Sequence, residues 1–382
     1  MRIALLTDGI SPYVVGGMQQ HSVNLGKYLV ENYHNVDLFH FVFKGQDMPT
    51  NSEVNNLLFN KNDGFKNIYC CYFPTSIRFP GHYIWNSYRY SKLIYNLIRK
   101  DLNCYDFIYS KGFTAWKLLR QRNKKINFKI GVNFHGYEMY QYAPNIKIKF
   151  QHFMLRPFVK MINIKADFIF SYGSKITDII VDLGVDKTKI IEMPSAISFD
   201  WLNQGKLQLK KPLKYLFVGR YERRKGIQEI NNVLLGFSKD NFEFHFAGSI
   251  PKDNRIDSDK IKVIYHGIIT DEIIKKQIYD NCDVLICPSY SEGMPNVILE
   301  AMARGLAIIA TDVGAVSLMV SSKNGILLDF CDKNLIENAI KKINLMDKQS
   351  LLEMKESSIN KVRYNFIWSE MSKNLISKLI KK

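Results

Sequence analysis

The feature that most constrains this chain is an alternation, kept up from end to end, of short β-branched and aromatic runs with amphipathic segments. Parallel strands need long crossover connections, usually helical, so this rhythm predicts repeated βα units around parallel sheets. RIALLT, VDLFHFVF, NIYCCYF, DFIYS, FKIGVNF and DFIFSY read as a first series of strands. Across residues 193–212 the sequence MPSAISFDWLNQGKLQLKKP breaks the rhythm with Pro, Ser, Gly and Lys, as a linker does. A second series follows: YLFVG, FEFHFAG, IKVIYHG, DVLICPS, LAIIATD and GILLDF. The 382 residues exceed one ordinary core, at roughly 150 residues per domain. The expectation is therefore an α/β chain of two doubly wound, Rossmann-like domains facing each other, residues 1–195 and 196–365. Helical spacing from Ile343 through Leu351, Leu352, Ile359 and Ile367 to Leu379 predicts terminal helices. The last of them, 366–382, is expected to pack back toward the first domain.

Composition excludes several classes. With 46% hydrophobic and 23% charged residues the chain can bury real cores. Its six cysteines show no C-x-x-C spacing and read as reduced core thiols, which suits the cytoplasm. The run MRIALLTDGISP is too short for a signal peptide and is ended by Asp8. No run approaches the ~20 apolar residues of a membrane span, so any membrane contact is expected to be peripheral. Of the formal charge of +17, +11 falls within residues 1–195. There, RFPGHYIWNSYRYSKLIYNLIRK, KGFTAWKLLRQRNKKINFK and KIKFQHFMLRPFVKMINIK interleave cations with aromatics, as an anionic membrane surface would require. The plainer reading is core aromatics with solvated Lys and Arg. No nucleic-acid module accompanies these stretches, so nucleic acid is not expected as a partner.

The segment richest in chemistry is SYSEGMPNVILEAMARG, Ser289 to Gly305, between a strand and a buried-looking strand. Gly293 frees the backbone for close approach, and Pro295 suits a first helical turn. The helix N-terminus supplies amide donors for phosphate or sugar oxygens. Glu292 and Glu300 would stand ~12 Å apart along a helix axis, too far to act as one acid/base pair. They read as two clamps on different parts of one extended ligand. FVGRYERRKG delivers Arg220 at the end of a strand and Lys225 just before a helix, on the sheet edge where open α/β folds bind ligands. Arg223 and Arg224 read as solvated. In TDGISPYVVGGMQQH, Gly16 and Gly17 precede a helix and form either an anion-binding turn or a plain tight turn. The absence of G-x-G-x-x-G argues against a dinucleotide-dependent dehydrogenase. NFHGYE places His135 at a strand end beside Gly136 and Glu138; His21, His82, His152, His245 and His266 lack such a setting. Asp257 and Asp259 form a D-x-D triplet in a polar loop, with no His/Cys/carboxylate cluster to support a metal.

EGMPNVILEAMARG followed by ATDVGA resembles, nearly residue for residue, the E-x7-E signature of retaining GT-B glycosyltransferases, glycosyltransferase family 4 above all. The resemblance runs from Leu213 to about Leu328 and touches the first half only in short elements. It implies that Glu292 contacts the transferred sugar and Glu300 the ribose. The amides of Gly293, Met294, Asn296 and Val297, with Pro295 among them, would line the sugar and diphosphate. Arg220 and Lys225 would bind the diphosphate, Gly16 and Gly17 would close over donor phosphate and acceptor, and His135 would reach the sugar. No cofactor or metal is implied. The chain departs from the family at Val316–Met319, where a Pro-Glu pair is usual, and at MPSAIS, which replaces an Asn-Gly. The expected activity is retaining transfer of a hexose or N-acetylhexosamine, from a UDP-sugar by preference or a GDP-sugar, to a saccharide or lipid-linked saccharide in surface polysaccharide synthesis. A nucleotide-sugar epimerase on the same fold and a non-catalytic membrane or nucleic-acid binding protein are the competing readings.

Overall fold

The computed structural model describes residues 1–14, 16–32, 34–59, 63–77, 79–122, 128–237, 241–371 and 378. The chain divides into two compact units, one built from residues 1–140 and 147–193 and the other from residues 141–146 and 194–371.

The first unit runs β1 (Arg2–Leu6), α1 (Gly17–Glu31), β2 (Asn35–Val42), α2 (Asn51–Leu58), β3 (Asn67–Tyr72), α3 (His82–Ile98), β4 (Phe107–Lys111), α4 (Trp116–Gln121), β5 (Lys129–Asn133), α5 (Ile146–Lys165), β6 (Phe168–Ser171), α6 (Lys175–Asp182) and β7 (Ile190–Glu192). Its strands form one parallel sheet in the order β3-β2-β1-β4-β5-β6-β7. Helices cover a parallel sheet on both faces, so its strands read as unbroken apolar runs, and β4 is buried at all five positions. At the start of the sheet the fully buried Asp37 accepts from Arg2, Asn67 and Tyr105 at 2.9, 2.9 and 2.7 Å. One carboxylate thereby ties β1, β2 and β3 to the approach to β4. The six expected strands are all present, and β7 is an addition whose three residues are too few to show a period.

The second unit runs β8 (Leu213–Val218), α7 (Ile227–Gly236), β9 (Phe242–Ala247), β10 (Lys262–Gly267), α8 (Glu272–Asp280), β11 (Val284–Cys287), α9 (Asn296–Ala303), β12 (Ala307–Thr311), α10 (Val316–Met319), β13 (Gly325–Leu328), α11 (Lys333–Asn344) and α12 (Lys348–Asn365). Its parallel sheet has the order β10-β9-β8-β11-β12-β13. Tyr215, Phe217, Phe244 and Phe246 pack with Ile230 and Val233 of α7 and Ile336 and Ile340 of α11 in one core. Beneath β11, the fully buried Asp283 receives Lys355 of α12 at 2.8 Å and the backbone N–H of Lys210 and Lys214. In both sheets the strand order reverses beside the first strand, between β1 and β4 and between β8 and β11. Crevices at the carboxyl ends of such switch points are where open α/β sheets take ligands.

The main stretch of the second unit starts at Pro194, two residues before the boundary read from sequence, and residues 141–146 join it from the first half. Phe366–Met371, expected to begin a separate helix returning to the first domain, stay with the second unit. Ile197 and Ile367 form a parallel bridge there, closed by Ile197 N–H to Phe366 O at 2.8 Å and Trp368 N–H to Ile197 O at 3.2 Å. Lys378 counts with the first unit, as expected of the returning helix, and donates from Nζ to Glu192 O at 3.1 Å; the rest of that helix lies outside the described residues.

His40, in the middle of β2, is 1% exposed, and burial lowers its pKa to about 4. The unfolded chain, with an ordinary value near 6.5, then binds more protons as the pH falls below that value. Stability from keeping this imidazole neutral is full above pH 6.5 and is lost on descent toward pH 4. We expect the wild type to lose about 2 kcal/mol between pH 7 and pH 5 from this group alone. In urea titrations at the two pH values, His40→Leu should lose correspondingly less.

Candidate functional site

The loop after β11 is clamped from two sides by glycines that admit no side chain. Gly226 sits at φ 70°, and a Cβ there would meet the Pro288 carbonyl at 2.1 Å. Gly314 sits at φ 58°, and its Cβ would meet the Glu292 carbonyl at 2.2 Å. Both positions need the left-handed backbone that glycine alone takes cheaply. Ala315 N–H then donates to Gly293 O at 2.8 Å, and Thr311 Oγ1 to Ser289 O at 2.5 Å. This packing holds the loop Ser289–Pro295 against the turn that follows β8.

Inside it, Glu292 is 6% exposed. Its Oε1 accepts from Lys225 Nζ at 2.5 Å and Ser289 Oγ at 2.9 Å, and Oε2 faces the Arg224 guanidinium at 3.3 Å. Burial pushes this carboxyl up, but Lys225 and Arg224 outweigh it and hold it below its ordinary range. Glu292 is therefore an ionised acceptor at neutral pH, not a proton donor. Arg220 and Arg224 also share Glu222, each at 2.9 Å. Three cations thus surround two carboxylates, a surplus of positive charge suited to an anion.

Glu300, within α9, makes a second station. Its Oε1 accepts from Lys275 at 2.6 Å and its Oε2 from Tyr279 at 2.7 Å, both residues lying on α8. Burial, then Glu300 itself, pushes the Tyr279 phenol well up, so it remains a donor. Lys275 also lies over the Trp201 ring, 5.4 Å from its centre. Among the described residues the two carboxylates share no partner.

The structure corrects the reading of the arginines. Arg224 is engaged with Glu292 and Glu222, and Arg223 forks onto Glu229 at 2.9 and 2.7 Å while donating to Tyr290. Neither is a free solvated cation. Arg220 is the exposed one, with a side chain 68% accessible at the strand end. Met294 Sδ accepts the Ser195 N–H, and Asn296 Oδ1 accepts the Ser195 hydroxyl at 3.0 Å, so the atypical MPSAIS segment touches the signature itself. Val316 and Met319, at the other departure, are core residues of α10. Pro295 caps α9, ahead of Asn296 and Val297. Gln141, counted with this unit, donates to Glu292 O at 2.6 Å and accepts from its N–H at 3.3 Å. Asp257 and Asp259 lie on an exposed loop, and among the described residues no three His, Cys, Asp or Glu group as metal ligands.

In the first unit, Gly17 opens α1 and Gly16 precedes it as its cap. His135 follows β5 at φ 60°, with its N–H on Asn133 Oδ1 at 2.7 Å and Nδ1 2.5 Å from the Tyr172 hydroxyl. Sequence gave no setting to His21, yet it is 1% exposed and meets His135 edge-on at 5.4 Å. Lys275, Ser289, Gln141, His21 and Lys111 were all missed. Only Lys111 carried a signal, as a lysine ending a strand with four buried residues before it.

Two parallel, doubly wound sheets with charged loops at the switch point of the second define the GT-B class of α/β fold. Residues 212–344 match the family model of glycosyl transferases group 1, and residues 15–201 match that of glycosyltransferase family 4. The chain belongs to this family. It is 31% identical over 170 residues to the capsular polysaccharide biosynthesis glycosyltransferase CapM of Staphylococcus aureus, covering 41% of this chain and 43% of that one. It spans less than half the length of several relatives it matches. Among solved structures, sucrose-phosphate synthase from Thermosynechococcus elongatus superposes with a TM-score of 0.77 at 19% identity, over 100% of this chain and 98% of that one. Anabaena HepE in complex with UDP and glucose gives 0.68 at 14%, over 100% of both chains. At such identities the structural likeness establishes the fold.

The glycine clamp can be tested directly. Gly314→Ala combines a left-handed backbone with a carbonyl at 2.2 Å and should destabilise by about 2–4 kcal/mol. Gly45→Ala, at φ 93° with nothing within 4 Å, should cost only about 1–2 kcal/mol. Urea unfolding of both variants checks the difference.

Proposed function

We propose that this chain transfers a hexose or N-acetylhexosamine, with retention of configuration and without a metal, from a nucleotide diphosphate sugar to a saccharide or lipid-linked saccharide. UDP-sugars are favoured and GDP-sugars are the alternative. The observation that carries this reading is the pair of separate carboxylate stations around β11 and α9, one among cations and one beside Lys275 and Tyr279. An extended ligand with an anionic middle and hydroxyls at both ends matches that arrangement. The capsular assignment of CapM and the UDP and glucose held by HepE support the substrate class.

In this reading Glu300 takes the ribose hydroxyls and Glu292 a sugar hydroxyl, while Lys225, Arg224 and Arg220 hold the diphosphate. The amides of Gly293, Met294, Asn296 and Val297 add to them. Negative charge grows on the diphosphate as the C1–O bond breaks, and fixed cations stabilise it more then than before. Glu292 already has both oxygens engaged by donors, so it is a poor nucleophile for a double displacement. The acceptor oxygen therefore bonds to C1 on the face the diphosphate leaves, and the departing phosphate oxygen takes the acceptor's proton. His135 is read as the partner of a saccharide hydroxyl, and the Gly16–Gly17 turn as a phosphate contact.

The test is transfer from α-linked UDP- and GDP-sugars to synthetic lipid diphosphate saccharides, with product configuration read by NMR. We expect an α-linked product and turnover that survives EDTA. A β-linked product rules out retention, metal-restorable loss in EDTA rules out metal independence, and isomerised donor without acceptor would favour the epimerase.

Cytoplasmic placement at an anionic membrane belongs to the same proposal. No helix among the described residues is long and apolar enough to cross a membrane. Residues 64–100 and 139–166 contain no Asp or Glu, and they carry α3 and α5. These helices expose Trp85, Phe150 and Phe153, at 53–67%. They adjoin, since a Cβ on Gly81 would lie 3.1 Å from Met154. Cations draw such a face to anionic lipid, and aromatics insert at its surface. Binding to phosphatidylglycerol vesicles at low salt should exceed binding to phosphatidylcholine vesicles, fall with salt, and weaken in Phe150→Ala/Phe153→Ala. Equal recovery with both vesicles would refute it.

A further inference from the structure

Lys111 ends β4 with no exposed surface. Its Nζ lies 2.8 Å from His21 Nδ1 and 3.2 Å from Met18 O, both on α1. An ammonium has only hydrogens to offer, so His21 Nδ1 must accept. A neutral His21 then carries its proton on Nε2. Its ring stands at 87° to that of His135, centroids 5.4 Å apart. His135 is 5% exposed, and its Nε2 is buried with no hydrogen-bond partner among the described residues. The same residue holds φ 60°, a left-handed conformation that a non-glycine residue adopts only at a cost. A strained backbone and an unmatched buried nitrogen at the carboxyl edge of a parallel sheet mark a place shaped for a ligand.

We propose that Lys111 is a positioning residue. Its buried ammonium fixes the tautomer of His21 and keeps the His21–His135 pair uncharged, so that His135 meets a saccharide hydroxyl as a neutral imidazole. The inference rests on the reading of His135 as a hydroxyl partner.

The groups facing the cluster come from every element around it. Asp8 follows β1, His21 and the Met18 carbonyl belong to α1, Tyr83 and Tyr90 to α3, His135 follows β5, Glu138 lies just beyond it, and Tyr172 follows β6. Burial lowers Lys111 to about 7, with Asp8 opposing. Burial raises Asp8, with Lys111 opposing. Below about pH 7 Lys111 is charged, and that is where a free imidazole, near 6.5, would take up a proton. Burial first and the Lys111 charge second drive both His21 and His135 well below that value. As the pH rises and Lys111 loses its charge, imidazoles are neutral in any case. The Tyr172 phenol, pushed well up by burial, stays protonated and donates to His135 Nδ1, leaving Nε2–H for the ligand.

The test is 15N NMR of histidine-labelled full-length protein, with His21 and His135 assigned from the spectra of His21→Gln and His135→Gln. In the wild type at pH 6, both rings should be neutral and His21 should be in its Nε2–H form; this arm needs no Lys111 variant. In Lys111→Met, His21 should populate both tautomers and the His135 pKa should rise by on the order of one unit. The acidic limb of kcat/KM should move up with it, and Lys111→Arg should restore the wild-type limb. A His21 Nδ1–H tautomer in the wild type, or an unchanged His135 pKa in Lys111→Met, would overturn the proposal. If the NMR shifts occur but His135→Ala leaves kcat and KM untouched, the saccharide role of His135 fails while the control of protonation stands.

Discussion

A carboxylate closed off from water at the end of a parallel strand stays ionised only if cations are brought to it, and the second unit is arranged around that requirement. Glu292 lies in the loop after β11, whereas Lys225 and Arg224 come from the turn after β8, the neighbouring strand. The two turns can meet because β8 and β11 are adjacent at the reversal of strand order. They meet closely because Gly226 and Gly314 leave room for carbonyls where other residues would place a Cβ. Removing one cation would leave part of the burial cost of Glu292 uncompensated. The sheet order, the glycines and the ion pairs are thus one solution to one electrostatic problem.

The two units handle buried charge differently. The second satisfies its carboxylates with lysine, arginine and hydroxyl donors, as at Glu292, Glu300 and Asp283. The first also has such a point at Asp37, yet at the switch between β1 and β4 it buries a lysine against an imidazole and a carbonyl. The cations around Glu292 hold its carboxyl below the ordinary range, so its charge is fixed at neutral pH. A lysine held by neutral acceptors is poised to titrate, and its influence passes to the rings beside it.

What could be read from sequence follows from how local each cause is. Twelve strands were legible as apolar, β-branched or aromatic runs, the central ones such as β4, β9, β11 and β12 because they are buried at every position, and β7 was not because three residues have no period. The loop Ser289–Gly305 was legible because its backbone demands Gly and Pro at particular places. The partners of its carboxylates were not. Lys275 and Tyr279 reach Glu300 from a preceding helix, and nothing in EIIKKQIYD distinguishes Lys275 from Lys276, which turns instead to Asp200. The same limit explains Arg223 and Arg224: they stand side by side in the turn after β8, and Glu229, Tyr290 and Glu292, which engage them, lie outside that turn. His21 and Lys111 meet across 90 residues, beyond the reach of any local pattern.

The short connection carrying Gln141 has a consequence for how this chain can be cut or recombined. The residues on either side of 141–146 belong to the first unit, while the segment itself belongs to the second. Gln141 pairs with both backbone groups of Glu292 as a neighbouring strand would. The second unit is therefore not a contiguous stretch of sequence. A fragment beginning at Pro194, or a chimera joined there to a foreign first half, would inherit the carboxylate loop without the amide that braces it. The natural unit of exchange is a discontinuous one, and a recombinant that ignores it replaces a sequence-distant part of its own signature loop.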